Sequence, residues 1–166
     1  MKEISVLHTS RCTLTAVTHD DIPALREILD DVDTQRFLPE LCREFQTAES
    51  LQQFIKSFDH YLYQNEGFLW GTRKNENLIG FIAIMDIPDK PTLFYATHPA
   101  YRNCGYMKES LSKIMGYVFE KGLCRSLQTE VYLKNAISQI ILKSLSFHMY
   151  KKDNIKEYYI YKLINQ

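Results

Sequence analysis

Residues alternate along Cys12 to Val17, with Thr13, Thr15 and Val17 on one side and Cys12, Leu14 and Ala16 on the other, which predicts a first strand. Thr18 to Asp21 then offer capping oxygens and early negative charge, and Pro23 is tolerable only in a first helical turn. Ile22, Leu25, Ile28 and Leu29 form the apolar stripe of that helix. A second helix starts after Thr47 and carries Leu51, Phe54, Ile55, Phe58, Tyr61 and Leu62 at helical spacing; Gly67 suits the left-handed position that would end it. Strands are expected at Phe68 to Arg73 and Leu78 to Ile87, joined by the polar turn Lys74-Asn75-Glu76-Asn77. Pro88 and Pro91 bracket a loop before a short apolar strand, Thr92 to Thr97.

Helical spacing returns from Gly105 to Lys121, with Leu111, Ile114, Met115, Val118 and Phe119 on one face and Gly122 as terminator. Leu127, Thr129, Val131 and Leu133 alternate as a strand, and a short helix runs from about Ile137 to Leu145. Tyr158 to Ile164 closes the chain, paired with Phe147 to Lys151 across Asp153-Asn154. The order β-α-α-β-β-β-α-β-α-β-β, without repeat or linker, predicts one mixed-sheet α/β domain over residues 1–166.

Composition narrows the function. A chain of 166 residues is one domain long and needs no staple to bury a core. Twenty Lys+Arg against twenty Asp+Glu leave no net charge, which argues against a dedicated nucleic-acid binder but allows a local basic pocket. The longest apolar run, Leu78 to Met85, is too short to span a bilayer, and Met1 to Ser5 begin no signal peptide, so no membrane partner is expected. Cys12, Cys42, Cys104 and Cys124 are scattered without zinc spacing, as expected of reduced thiols in a cytoplasmic protein without a metal.

Candidate chemistry concentrates in Tyr95 to Met107. A buried strand gives way to His98-Pro99, a short loop holds Arg102 and Gly105, and a helix begins at once. Free amides at a helix start, a glycine permitting close approach and an arginine make an anion site suited to a diphosphate. An ordinary strand-to-helix turn has the same outline. Neither G-x-x-x-x-G-K-[ST] nor G-x-G-x-x-G occurs, which excludes the usual nucleotide-hydrolase and dinucleotide loops.

The surroundings resemble the GCN5-related N-acetyltransferase (GNAT) superfamily, especially the ribosomal-protein N-terminal acetyltransferase branch. The signature Arg/Gln-x-x-Gly-x-Gly/Ala falls on Arg102, Gly105 and Met107, in the branch's context of Pro99, Tyr101 and Tyr106. Asn135, Ser138 and Ser146-Phe147 follow in family order, and Arg11 to Asp21 and Leu78-Ile79-Gly80 also fit. The resemblance implies a mostly antiparallel sheet of six to seven strands flanked by about four helices, with the fourth and fifth strands splayed. It further implies acetyl-CoA as co-substrate, an amine acceptor (a peptide N-terminus or a small molecule) and direct transfer, and it admits a homodimer.

By the same resemblance, backbone groups at Tyr95, Ala96 and Thr97 would hold pantetheine and stabilise an oxyanion. Amides of Arg102, Asn103, Cys104, Gly105, Tyr106 and Met107 would cradle the pyrophosphate, with Asn135 and Ser138 beside the pantetheine. Asn135 also reads as a helix cap. Phe37 to Glu40 and Phe45, in the loop between the first two helices, would line the acceptor side.

Three positions depart from the pattern. Met107 replaces a small residue, Ser146 replaces a glycine, and Leu142 stands where many relatives place a proton-donating tyrosine. Thr92 aligns with a glutamate that some relatives use instead. Catalytic candidates are therefore Tyr95, to relay or donate a proton, and Glu130, as base directly or through water. Packing and solvation are their plainer roles, as loop packing is for His98. Cys104 could carry an acyl group only with a base partner, and none is visible. The competing function is a CoA-binding sensor or interaction module that has lost its acid/base groups.

Overall fold

The structure is a computed structural model in which residues 2–164 are described. Two short strands, β1 (Leu7–His8) and β2 (Thr13–Ala16), lead into a single 3-10 turn and α1 (Ile22–Asp30). Three more helices follow, α2 (Val32–Phe37), α3 (Pro39–Glu44) and α4 (Ala48–Gln64). Then come β3 (Phe68–Lys74), β4 (Asn77–Met85), β5 (Thr92–Thr97), α5 (Tyr106–Glu120), β6 (Ser126–Tyr132), α6 (Ala136–Ser144), β7 (His148–Lys152) and β8 (Lys156–Lys162). The eight strands form one sheet in the order β1-β2-β3-β4-β5-β6-β8-β7.

Alternation on the strands divides the core. Ile82, Ile84 and Leu93 face α5 and α6, where they meet Leu111, Ile114, Val118 and Leu142. Phe81, Ala83 and Ala96 face the opposite way, against Leu25 and Ile28 of α1 and Leu51, Phe54 and Phe58 of α4. Each such fully buried side chain contributes about 1.5–3 kcal/mol. At the α1 end, Arg73 of β3 ties Asp21 by an ion pair of 2.7 Å and also donates to Thr15 Oγ1 at 2.7 Å.

All neighbouring strands run antiparallel except β5 and β6, which α5 connects as a parallel crossover. Those two meet only at Thr92↔Gln128, next to a Gln128 N–H to Pro91 carbonyl bond of 2.8 Å. Past this rung they diverge, as expected of the splayed pair.

Three expectations change. The sheet has eight strands, because β1 pairs with β2 through Leu7↔Leu14 and His8↔Thr13. The segment expected as a loop around Phe37 to Glu40 folds as α2 and α3, the first capped by Asp31 and the second opened by Pro39. The helix before β3 ends on Asn65, at φ 58°, and not on Gly67. Asparagine tolerates that conformation, while Gly67 serves close packing: a Cβ there would lie 3.0 Å from the Ile84 carbonyl.

Candidate active site

The loop after β5 is shaped by its own backbone. His98 N–H bonds the Ile79 carbonyl at 2.8 Å, and the His98 ring Nδ1 accepts from Ala100 N–H at 3.1 Å. The ring's Nε2 therefore donates to Glu27 at 2.6 Å, which fits the loop-packing role. Asn103 and Gly105 both take positive φ, 59° and 81°, just before α5 begins. Among the described residues, the amides of Asn103, Cys104, Gly105, Tyr106 and Met107 have no acceptor. Successive free N–H groups at the start of a 15-residue helix are the kind of donor set that favours an anion.

Arg11 braces this loop from β2's leading edge. Its Nη1 donates to the Cys104 carbonyl at 2.9 Å, its Nε pairs with Glu109 at 3.0 Å, and its guanidinium lies 4.4 Å over the Tyr106 ring. A Cβ on Gly105 would come within 3.2 Å of Arg11 Nη2. Lys74 approaches the same ring at 4.7 Å and donates to the Tyr106 hydroxyl.

Arg102 has side-chain partners within the protein. The sequence assigns its charge to the ligand, but the guanidinium is engaged by α2: Nη2 donates to Asp31 at 2.6 Å and to Thr34 Oγ1 at 3.0 Å. Both bonds leave from Nη2, and Nη1 lies 3.8 Å from an Asp33 carboxylate oxygen. Burial opposes the Asp31 charge, but Arg102 and the Thr34 amide outweigh it and hold the carboxyl below its usual range. The Met107 side chain is buried in the core, in space that Gly80 leaves: a Gly80 Cβ would lie 3.1 Å from Met107 Cε and 2.7 Å from the Ala96 carbonyl. Cys104 is exposed, its thiol directed at the Arg102 carbonyl at 3.3 Å.

Between the splayed strands lies a cavity of about 380 Å³, lined on one side by Tyr95, Ala96, Thr97 and Ser138 and on the other by α2, α3 and Glu130. The Tyr95 and Ser138 hydroxyls share a short hydrogen bond. The Tyr95 ring borders the cleft, but its hydroxyl is enclosed, and desolvation pushes its pKa up to about 12 despite Ser138. Asn135 caps α6, accepting from the Ser138 N–H at 3.3 Å, so its cap reading is realised. Leu142 is fully buried, and the Thr92 hydroxyl donates to the Lys90 carbonyl at 2.8 Å.

Glu130 is exposed and paired with Lys156 at 2.8 Å, closer to the solvated-charge reading than to a free base. Lys156 also reaches Glu40 at 3.6 Å, lies 4.9 Å over the Tyr132 ring, and shares Glu40 with the Tyr132 hydroxyl, which donates at 2.8 Å. Burial opposes the Lys156 charge, but Glu130 and Glu40 raise its pKa. Burial likewise opposes the Glu40 charge, yet its own amide, Tyr132 and Lys156 keep its carboxyl low. Tyr132, Lys156 and the contact of Arg11 with the loop escape sequence reasoning because residues distant in the chain meet only in the fold, whereas Glu40 was expected on the acceptor side. The alternation that places Gln128, Glu130 and Tyr132 on one face of β6 was the available hint.

A splayed parallel pair, an amide-lined loop and a cleft between them define a class: α/β transferases that hold a phosphorylated acyl donor. Residues 11–148 match the sequence model of the acetyltransferase (GNAT) domain, and the chain belongs to that family. It is an acetyl-CoA-dependent N-acetyltransferase. A Bacillus subtilis (strain 168) relative named as the N-acetyltransferase YoaA is 25% identical over 165 residues, covering 94% of this chain and 88% of that protein. The ribosomal L7/L12 alpha-N-protein acetyltransferase RimL, solved in complex with coenzyme A, has a TM-score of 0.84 at 13% identity, covering 96% of this chain and 98% of that one. The microcin C7 self-immunity acetyltransferase MccE, solved with acetyl-CoA and AMP, has a TM-score of 0.75 at 9% identity over 93% of each chain. Among the described residues no helix is long and apolar enough to cross a membrane.

Proposed function

We propose that the whole chain, 1–166, works as one acetyltransferase domain that acetylates a primary amine, a protein N-terminus or a small molecule, by direct transfer. The observation that carries this reading is the row of unpartnered amides from Asn103 to Met107, opening α5 beside the cleft. Acetyl-CoA supplies an acyl thioester activated toward amines. The amides and Arg11 would hold its phosphates, while Ala96, Thr97, Asn135 and Ser138 flank the space for the rest of the arm. The name of RimL, a ribosomal L7/L12 alpha-N-protein acetyltransferase, supports a protein N-terminus as one acceptor. Four free cysteines accord with a cytoplasmic enzyme.

Proton handling falls to this chain's own groups. With its pKa pushed up to about 12, the Tyr95 hydroxyl stays protonated at neutral pH, which suits the role of proton donor better than that of base. Glu40 and Glu130 make the opposite wall anionic, which favours an approaching ammonium; water carries off the acceptor's proton, ordered by Glu130.

Calorimetry with CoA, together with thiol release from acetyl-CoA across an amine panel, tests this. CoA should bind, and at least one amine should release thiol. In a folded Gly105→Val protein, the positive φ and the Arg11 contact should weaken CoA by about tenfold or more, roughly 1.4 kcal/mol. Unchanged affinity removes the loop from the site. Tight CoA binding with no turnover on any amine favours the binding-module alternative.

A further inference from the structure

The loop before α5 is served by two guanidinium groups, and the structure engages them differently. Arg102 faces α2. A single oxygen, Asp31 Oδ2, accepts from Arg102 Nη2 at 2.6 Å, from the Thr34 amide at 3.0 Å and from Thr34 Oγ1 at 3.2 Å. Asp33 adds a more distant carboxylate at 3.8 Å. The capping residue of α2 is therefore also the anchor for Arg102.

The segment α2–α3 forms one wall of the cavity through Thr34, Phe37, Leu38 and Glu40. Each helix fully buries one residue, Thr34 and Cys42, and Leu38, Leu41 and Phe45 pack in part against the α1–α4 core. Two polar clamps fasten the wall as well. One is Arg102 to Asp31 and Thr34, just past β5; the other is Tyr132 of β6 and Lys156 of β8 to Glu40. The wall thus bridges the two strands that diverge.

Arg11 faces the loop itself. With Nε on Glu109 and Nη1 on the Cys104 carbonyl, its Nη2 has no acceptor among the described residues and lies beside Gly105.

We propose that the two arginines divide the work: Arg11 is the cation that serves the phosphates of CoA, and Arg102 is a positioning residue that fastens the α2–α3 wall of the acceptor cavity. This rests on the reading of 103–107 as the CoA loop.

The test combines calorimetry with CoA and hydrogen exchange of the amides of residues 32–44, with and without CoA. It compares the wild type, Arg102→Ala, Arg102→Lys and Arg11→Ala. Loss of the clamp should speed exchange across Val32–Phe37 by about tenfold or more in Arg102→Ala, while CoA affinity falls by no more than about threefold. Arg102→Lys, keeping one donor, should exchange at an intermediate rate. Arg11→Ala should weaken CoA by about tenfold and leave exchange in α2 as in the wild type. The division is overturned if Arg102→Ala weakens CoA as much as Arg11→Ala does while α2 exchange stays unchanged. It is overturned equally if CoA speeds α2 exchange in the wild type, since Arg102 would then leave Asp31 for the ligand. A wild type that binds no CoA overturns the loop reading, and this division with it; that failure is distinct because it appears before any substitution.

Discussion

Replacing Tyr95 by Phe removes one hydroxyl from the cleft and isolates the role that burial gives it. With a pKa near 12, the wild-type hydroxyl is ionised to only about one part in 10⁵ at neutral pH. It is a poor base under working conditions but a fully loaded proton donor. General acid help is worth about 10²–10⁴-fold, and because direct transfer also depends on positioning, the expected loss in kcat is near the lower end, about 10²-fold. The sign across pH follows from the same displacement. Turnover should rise with pH as more acceptor amine becomes free base, and Tyr95 should add no falling limb until the pH nears its raised pKa. The substitution also strands the Ser138 hydroxyl, a lost hydrogen bond worth about 1 kcal/mol, or a Tm lower by about 2–4 °C. The assay is kcat between pH 6 and pH 10 with the best amine of the panel, beside a thermal scan. Two results refute the reasoning: wild-type turnover at every pH, or a wild-type falling limb near pH 8–9 that vanishes in Tyr95→Phe.

Two further outcomes follow from local geometry. Ser146 holds φ 67° in the turn after α6, so Ser146→Gly should raise stability by about 0.5–1 kcal/mol after the entropy of glycine is subtracted, giving a higher Tm by scanning calorimetry. Cys104→Ser should keep most turnover, because the exposed thiol meets only the Arg102 carbonyl; intact-mass spectra without acceptor should show no acetylated protein, and an acetyl-Cys104 that decays on adding amine would overturn direct transfer.

Much of the fold was legible because long periodic segments carry their own signal. The stripe from Leu111 to Val118 announces α5, and the Lys74–Asn77 turn announces the β3–β4 hairpin, with Asn75 and Glu76 at positive φ. What escaped was short. β1 has two residues and exists only through its pairing with β2, and the six residues each of α2 and α3 hold too little periodicity to be distinguished from a loop. The site divides along the same line. The loop from Arg102 to Met107 could be read because its chemistry lies within one short segment. The Asp31 partner of the Arg102 side chain is 71 residues away, and the Lys156 cluster is assembled from α3, β6 and β8. Local sequence states what a backbone can do, and tertiary distance decides where a charge goes.

The single rung at Thr92↔Gln128 gives the molecule a mechanical seam. On one side lie β1 to β5, on the other β6, β8 and β7, and beyond that rung continuity across the sheet passes through side-chain packing and the α2–α3 bridge instead of through backbone bonds. A linear ligand with its own amides, lying in the gap along β5, would act as a suture. If the donor's arm lies there as proposed, the gap in the sheet is closed by backbone bonds that the chain itself does not supply.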